Sequence, residues 1–176
     1  MSTQTQPRQA WAHRDKKIDM RPLAAADWSP PAVAARLQIQ ETFSRFGTAH
    51  DEARADVVGS CFTEDAVFEV AQGQAEPFVC YQGRAEIIRR ISAIVAEKAD
   101  QRRHCMTNVL VESLAADTAS AIAYGIVPVA ADGLTLGATV IYVADLSRED
   151  DGCWRFSYFY IGLDNYAGQK PKSAEQ

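Results

Sequence analysis

Four long β-strands joined by short turns are predicted late in the chain, and this pattern constrains the fold more than any other feature. Alternating apolar residues indicate strands at 104–115, 118–129, 134–147 and 153–163. Two of the connecting turns, at 131–133 and 149–152, contain the Asp-Gly pair that favours tight hairpins. Because such short connections join antiparallel neighbours, the four strands are expected to form one antiparallel meander.

Helices are predicted before this sheet. The first covers residues 29–50, with Ser29 as its N-cap and prolines in its first turn. A short second helix at 53–62, a strand at 66–70 and an amphipathic helix at 85–99 follow. Helices followed by a long meander are typical of an α+β fold. We therefore predict three helices packed on a strongly curved, mostly antiparallel sheet, which together make a cone-shaped α+β barrel with an internal cavity.

The composition excludes several classes of function. The chain has 176 residues, 47% of them hydrophobic, and a net charge of −5, which is typical of one soluble globular domain. Its basic residues are scattered or paired with acids, so we predict no nucleic-acid binding. No apolar run approaches the ~20 residues that span a bilayer, and no apolar secretory segment is present. Four widely spaced cysteines favour reduced thiols, no zinc site and a cytoplasmic location.

The domain boundaries follow from changes in polarity along the chain. Residues 1–28 are polar and are expected to form an N-terminal arm, in which Trp11 and Trp28 are isolated apolar anchors. Residues 29–166 form the single domain, and residues 167–176 form a C-terminal tail. The arm could pack on a neighbouring subunit or wrap over its own domain, and the sequence leaves both possibilities open.

Asp51 and His104 are candidates for a catalytic pair. Asp51 follows the first predicted helix, and His104 begins the first long strand. A histidine with its ordinary pKa of about 6.5 suits proton abstraction near neutrality. A buried carboxylate on its other nitrogen would fix the tautomer and stabilise the imidazolium. The alternatives are a helix cap for Asp51 and an ordinary structural histidine at position 104.

From about residue 31 to residue 166 the chain resembles the nuclear-transport-factor-2-like, or SnoaL-like, superfamily. Within it the sequence is similar to the branch that contains scytalone dehydratase, lindane dehydrochlorinase and bile-acid 7α-dehydratase. The order of elements supports this resemblance, as do several short motifs. The matching motifs are Ile39-Gln40, Asp51, Phe62-x-x-Asp65-Ala66, His104 with Asn108, and Gly152-Cys153-Trp154-Arg155-Phe156. The resemblance implies that His104 and Asp51 are catalytic, and that His50 approaches the substrate where scytalone dehydratase has a tyrosine.

Strand and helix periodicity predicts which side chains line the cavity. The shared faces are His104, Met106, Asn108 and Leu110; Trp154, Phe156, Tyr158 and Tyr160; and Phe43, Phe46 and His50. A cavity of this kind is rich in aromatic rings, as small-molecule sites usually are. We expect Trp154 and Phe156 to belong to the core. The candidate substrate-binding residues are Tyr160, Asn108, His50, Phe46, Phe43, Met106 and Tyr158. No cluster of metal ligands is evident, so no metal is predicted.

The predicted function is that of a cofactor-independent lyase. Where the dehydrochlorinase carries two cations, this chain has Phe46 and Tyr160, which disfavours expulsion of an anion. We therefore expect a neutral fragment, water or formaldehyde, to leave a bulky aromatic or polycyclic alcohol. One alternative is an isomerase or polyketide cyclase of the same fold. Another is a non-catalytic ligand-binding domain, or one like the small subunit of a ring-hydroxylating oxygenase.

Self-association is also predicted, because two neighbouring strands are apolar on both faces. The strand at 134–147 is apolar in both alternating rows, and the row Ala121, Ala123 and Gly125 of its neighbour is small enough for close approach. We expect a homo-oligomer, a trimer by resemblance or else a dimer. The alternative is that the chain's own arm and tail cover the second face.

Overall fold

A computed structural model of the chain describes residues 18, 21–72 and 75–164; Trp11 and Tyr166 lie outside these ranges. The helices are a short 3-10 helix Leu23–Ala25, α1 Pro30–Asp51, α2 Ala55–Ser60 and α3 Arg84–Ala96. The strands are β1 Phe62–Gln72, β2 Val79–Gln82, β3 Gln101–Arg102, β4 Cys105–Leu114, β5 Thr118–Ala130, β6 Leu134–Arg148 and β7 Trp154–Leu163. This order confirms the predicted α+β class.

The strands form one seven-stranded mixed sheet in the order β2-β1-β7-β6-β5-β3, and β4 also pairs with β5. The four long strands β4 to β7 are antiparallel neighbours, as predicted. The pairing of β1 with β7 is parallel. β2 was not predicted as a strand; it pairs with β1, and Gly83 at a φ of 84° then starts α3. The sheet is strongly curled, and the three helices pack on it.

Aromatic rings fill the space between α1 and the sheet. Phe156 and Phe159 of β7 have ring centroids 4.4 Å apart, and Phe43 and Phe46 of α1 pack on them at 5.0 and 4.8 Å. Most of these pairs are edge-to-face or tilted, which is the arrangement that aromatic quadrupoles prefer. Trp154 and Phe156 are buried in this core, as expected. The cluster fixes the position of α1, which carries the candidate catalytic acid.

Two β-bulges change which side chains face the core, and they make the predicted faces wrong. In β4 the register shifts between Thr107 and Leu110, and Asn108 has a left-handed φ of 53°. In β7 the pairing with β6 shifts at Ser157, between Phe156 and Tyr158. An extra residue reverses the alternation beyond it. The residues that change face are Leu110, Tyr158 and Tyr160, all of which pack in a second cluster on the other face of the sheet.

This second cluster covers part of the outer face. It contains Ile122, Val143 and Tyr160, and Ile18 from the predicted arm packs against it. The row of small residues expected to meet another subunit points inward instead, since a Cβ on Gly125 would meet the Tyr142 ring at 2.5 Å. In the opposite row, Tyr124 and Ile126 are exposed. Homo-oligomerisation through this face stays a prediction.

Trp28 packs on its own chain, where its indole N–H donates to the Leu23 carbonyl and the Arg36 guanidinium lies 5.2 Å from the ring centroid. In the described ranges, no helix has both the length and the apolar character required to cross a bilayer. The tail at 167–176 lies outside the described residues, so the predicted domain limits stay an expectation.

Candidate active site

The structure brings Asp51 and His104 into direct contact. One carboxylate oxygen of Asp51 lies 2.5 Å from His104 Nδ1, and the other accepts the backbone N–H of His104 at 2.7 Å. The Asp51 side chain is 6% exposed. Since a carboxylate only accepts, Nδ1 of His104 carries the proton and Nε2 presents a lone pair. The imidazole is therefore held as the tautomer that a general base requires.

Asp51 is held as an anion. Burial acts to raise its pKa, but the side-chain and backbone hydrogen bonds from His104 outweigh burial and lower the pKa below its ordinary value. Asp51 is the last residue of α1, whereas the N-cap of α2 is Arg54. The carboxylate consequently serves His104 and does not cap α2, which rules out the alternative that the sequence left open.

Gly47 allows α1 to approach β4 closely enough for this contact. A Cβ at this position would lie 3.1 Å from the His104 carbonyl oxygen and 3.1 Å from the Met106 sulfur. A glycine inside a helix costs about 1 kcal/mol relative to alanine. Helix propensity therefore disfavours a glycine at position 47. The residue is explained by the close approach of β4, which leaves no room for a side chain one turn before Asp51.

Substituting Gly47 with valine is expected to separate α1 from the His104 backbone. The larger side chain cannot fit against a main-chain oxygen, and a displacement of about 1 Å at a catalytic pair typically costs about 10²-fold in turnover. Melting temperature and kcat should both be measured. Ser44→Val, at an exposed position of the same helix, is the control for valine itself. Unchanged kcat in the Gly47 variant would contradict this role.

His50 packs against His104. The two imidazole centroids are 4.5 Å apart, and the Phe46 ring lies 6.2 Å from His50 on the other side. Burial lowers the pKa of His50 from 6.5 to about 3, and the charges of His104 and Lys98 act in the same direction. His50 is thus neutral at physiological pH. It packs against the dyad without adding a charge.

His50, Asp51 and His104 offer ligand atoms within 4.8 Å of one another, a grouping that could hold a metal ion. The expectation that no ligand cluster exists is therefore wrong, because folding brings together residues that are distant in sequence. In this structure the Asp51 oxygens already accept two hydrogen bonds from His104, and His50 Nδ1 is 4.0 Å from the nearer oxygen. The arrangement is that of a hydrogen-bonded dyad.

Tyr142 is a candidate site residue that sequence reasoning missed. Its side chain is 1% exposed, its ring stacks on Phe159 at 5.4 Å, and it covers Gly125. Burial raises the pKa of the Tyr142 hydroxyl, and the negative charge of Asp51 adds to this effect. The hydroxyl therefore keeps its proton and can donate a hydrogen bond. Because the residues around Tyr142 are apolar on both faces of the strand, the sequence pattern does not predict which way this tyrosine points.

The other predicted site residues occupy several different environments. Phe43 and Phe46 lie in the aromatic core, and only Phe46 also contacts His50. Met106 is half-buried and packs against the same core. Asn108 is exposed at the bulge rather than inside the cavity. The two tyrosines of β7 lie on the outer face, where the Tyr158 hydroxyl donates to Glu69 at 2.7 Å.

A small cavity lies beside His50, the residue that packs on His104. It has a volume of about 180 Å³ and lies between α1, α2 and α3. Its walls are mostly apolar, and His50, Arg54 and Ser92 are its polar residues. The lining includes Ala49, His50, Val58, Ile91, Val95 and Ala96. A ligand in this space would contact the histidine that packs on His104.

The sequence matches the family model described as a SnoaL-like domain over residues 31–160. The chain belongs to the SnoaL-like family. This membership confirms the resemblance inferred from the motifs around Asp51 and His104. No functionally curated protein sequence matches the chain.

Solved structures share the fold of this SnoaL-like protein. A candidate aromatic ring hydroxylase from Novosphingobium aromaticivorans is 28% identical over 74% of this chain and 90% of its own, with a TM-score of 0.64. An NTF2-like protein with a cystatin-like fold from the same organism is 23% identical over 79% and 91%, with a TM-score of 0.64. The hexachlorocyclohexane dehydrochlorinase LinA-type3 from Novosphingobium barchaimii is 22% identical over 74% and 87%, with a TM-score of 0.62. The cone-shaped NTF2-like architecture is thus confirmed.

Proposed function

We propose that this protein is a lyase that needs no cofactor and removes a neutral fragment from a bulky aromatic or polycyclic alcohol. The observation that carries the proposal is the double contact of Asp51 with the ring and the backbone of His104. A catalytic base must be oriented and kept in one tautomer, and this contact does both. Proton transfer by such a group typically contributes ~10²–10⁴-fold to the rate.

Two reactions fit the dyad. In a dehydration, Nε2 of His104 takes a proton from carbon, the released electron pair forms a double bond, and the C–O bond breaks. The departing hydroxyl receives that same proton and leaves as water. In a loss of formaldehyde, Nε2 takes the hydroxyl proton, the adjacent C–C bond breaks, and the proton returns to the carbon that carries the electron pair. Asp51 stabilises the transient imidazolium in both reactions.

The surroundings of the dyad support an apolar substrate. Phe46 contacts His50 and packs on Phe159, and Tyr142, whose hydroxyl is protonated, stacks on Phe159 and feels the charge of Asp51. The candidate aromatic ring hydroxylase at 28% identity adds an aromatic-compound context, and the SnoaL-like fold also carries a dehydrochlorinase. Tyr158 and Tyr160 lie on the outer face and have no part in the proposed site.

A substrate screen with mass spectrometry tests the proposed reaction. Hydroxylated diaryl and steroid compounds are incubated with the protein, and the masses of the products are compared with those of the substrates. A product lighter by about 18 mass units has lost water, and one lighter by about 30 has lost formaldehyde. Either result identifies the lyase. Unchanged mass with altered retention would identify an isomerase or cyclase instead. Treatment with a chelator tests whether His50, Asp51 and His104 act as metal ligands, and it is expected to leave turnover unchanged.

A further inference from the structure

The indole N–H of Trp154 is a buried donor without an acceptor in the protein. Trp154 is 4% exposed, yet its N–H makes no hydrogen bond among the residues that the structure describes. Trp28, which is 55% exposed, does pair its indole N–H, with the Leu23 carbonyl. A buried tryptophan usually finds a partner for this group. The unpaired donor of Trp154 therefore indicates a place where an acceptor from outside the chain binds.

The Trp154 N–H also faces open space. Within the described part of the chain, the one fully enclosed side-chain nitrogen or oxygen without a hydrogen bond is Arg36 Nε. Trp154 Nε1 has no hydrogen bond either, so it is not enclosed and must reach the surface of a cavity. The Trp154 side chain lines two cavities, of about 520 and about 330 Å³, which also share Gln38. A ligand in this space can reach the indole nitrogen.

The larger of the two cavities holds a cation that is available to a ligand. In the smaller one, the guanidinium groups of Arg45 and Arg155 are both paired with acids. Arg148 lines the larger one, and its single side-chain hydrogen bond in the described structure runs from Nε to the Gly152 carbonyl at 3.4 Å. Asp117 lines the same cavity but makes no ion pair with Arg148. The terminal nitrogens of Arg148 are therefore free to donate.

The rest of the larger cavity suits an apolar body. Its volume falls within the ~300–1,000 Å³ that is typical of small-molecule sites. Small side chains keep this space open, and they are Ala32, Ala34, Ala35, Ala115 and Ala116. The Asp27 carboxylate is already occupied, because its two oxygens accept from the N–H and the hydroxyl of Ser29. Hydrogen bonds to an ionised acceptor are stronger than those to a neutral one, which favours a carboxylate at the two donors.

We propose that this cavity is a second binding site, which takes a small carboxylic acid with an apolar body. The carboxylate accepts from Trp154 Nε1 and from the Arg148 guanidinium, and the apolar body lies on the alanines. The site is separate from the dyad, since Ala34 precedes Asp51 by 17 residues of α1, about 25 Å at 1.5 Å per residue. The inference thus goes beyond the proposed function and does not depend on His104.

Nuclear magnetic resonance of the indole N–H groups tests the position of the site. The probe is 1-naphthoate, and 1-naphthalenemethanol is its neutral counterpart of similar size. The chain has three tryptophans, so Trp11→Phe and Trp28→Phe identify two signals and leave the third to Trp154. Naphthoate is expected to shift the Trp154 signal and to leave that of Trp28, whose N–H is already bonded, in place. A Trp154 signal that does not move up to the solubility limit of naphthoate would overturn the proposal.

Calorimetric titration tests the two parts of the recognition separately. Wild-type protein is expected to bind naphthoate at least about tenfold more tightly than the alcohol, because the carboxylate is charged. Arg148→Met should lose about tenfold in naphthoate affinity and retain its affinity for the alcohol. Ala34→Leu places a larger side chain in the cavity at an exposed helix position, with similar helix propensity, and should weaken the binding of both probes.

Arg89→Met is the matched control, because it removes one positive charge from an exposed position of α3 where the guanidinium pairs with Glu86. It should leave both affinities unchanged, and so should His104→Ala, since the dyad lies at the other end of α1. Equal affinity of the wild type for the two probes, or undiminished naphthoate binding by Arg148→Met, would contradict the assignment. Loss of naphthoate binding in His104→Ala, with an unmoved Trp154 signal in the wild type, would place the acid at the dyad instead.

Discussion

Replacing His104 with alanine is expected to lower kcat by ~10²–10⁴-fold, because the group that takes the substrate proton is removed. Asp51→Asn should lower kcat by a comparable factor. Its amide would offer a donor where Nδ1–H now donates, so the imidazole would lose the fixed tautomer that leaves Nε2 free. Both variants should bind substrate, so the loss is expected mainly in kcat rather than in KM.

Circular dichroism and steady-state kinetics on both variants check this expectation. Asp56→Asn is the matched control, since Asp56 is exposed and pairs with Arg54 on the neighbouring helix. Its kinetics should equal those of the wild type. Turnover by folded His104→Ala and Asp51→Asn proteins within about tenfold of the wild type would show that this pair is not the base.

Acidification is expected to destabilise the protein through His50. Because the pKa of His50 falls from 6.5 to about 3 on folding, the unfolded chain binds more protons between these two values. Stability is then complete above pH 6.5 and declines as the pH falls toward 3. The slope is about 1.4 kcal/mol per pH unit, which gives a loss of about 2 kcal/mol between pH 6.5 and about 5.

Urea denaturation at several pH values measures this decline. His50→Gln carries no titratable group and should remove most of the slope above pH 4, where Asp51 contributes little. The lowered pKa of Asp51 acts in the same direction but only below its ordinary value of 3.8. An unaltered pH dependence in His50→Gln would show that another group is responsible.

The sequence predicted the dyad because both residues mark ends of elements that periodicity identifies well. α1 runs from Pro30 to Asp51, close to the predicted 29–50, and β4 begins one residue after His104. The positions of the matching residues in the related family added the expectation that Asp51 and His104 are in contact. The distance between Asp51 and His104 could not be predicted from the sequence. It depends on Gly47, which lets α1 approach residues 104 and 106, and these are distant from it in the chain.

The lining of the cavity was predicted less well, because it depends on where alternation is interrupted. Asn108 and Ser157 each add a residue to a strand, and neither position carries a glycine or proline that would mark a bulge. Tyr160 therefore lies on the outer face, whereas Tyr142 of β6 points into the core. Pro128, by contrast, lies directly at a register shift between β5 and β6, and a proline, which has no backbone N–H to donate, is a signal of such a shift in the sequence.

The parallel pairing of β1 with β7 has a consequence for folding kinetics. Val67 pairs with Tyr158 and Val70 with Ile161, so contacts at the middle of the sheet join segments separated by most of the domain. Long-range pairing requires the closure of a large loop before any stabilisation is gained, which slows folding. During synthesis, β1 and the helices beside it lack their central partner until β7 has been made. Assembly of the dyad therefore depends on the last strand, although neither of its residues lies there.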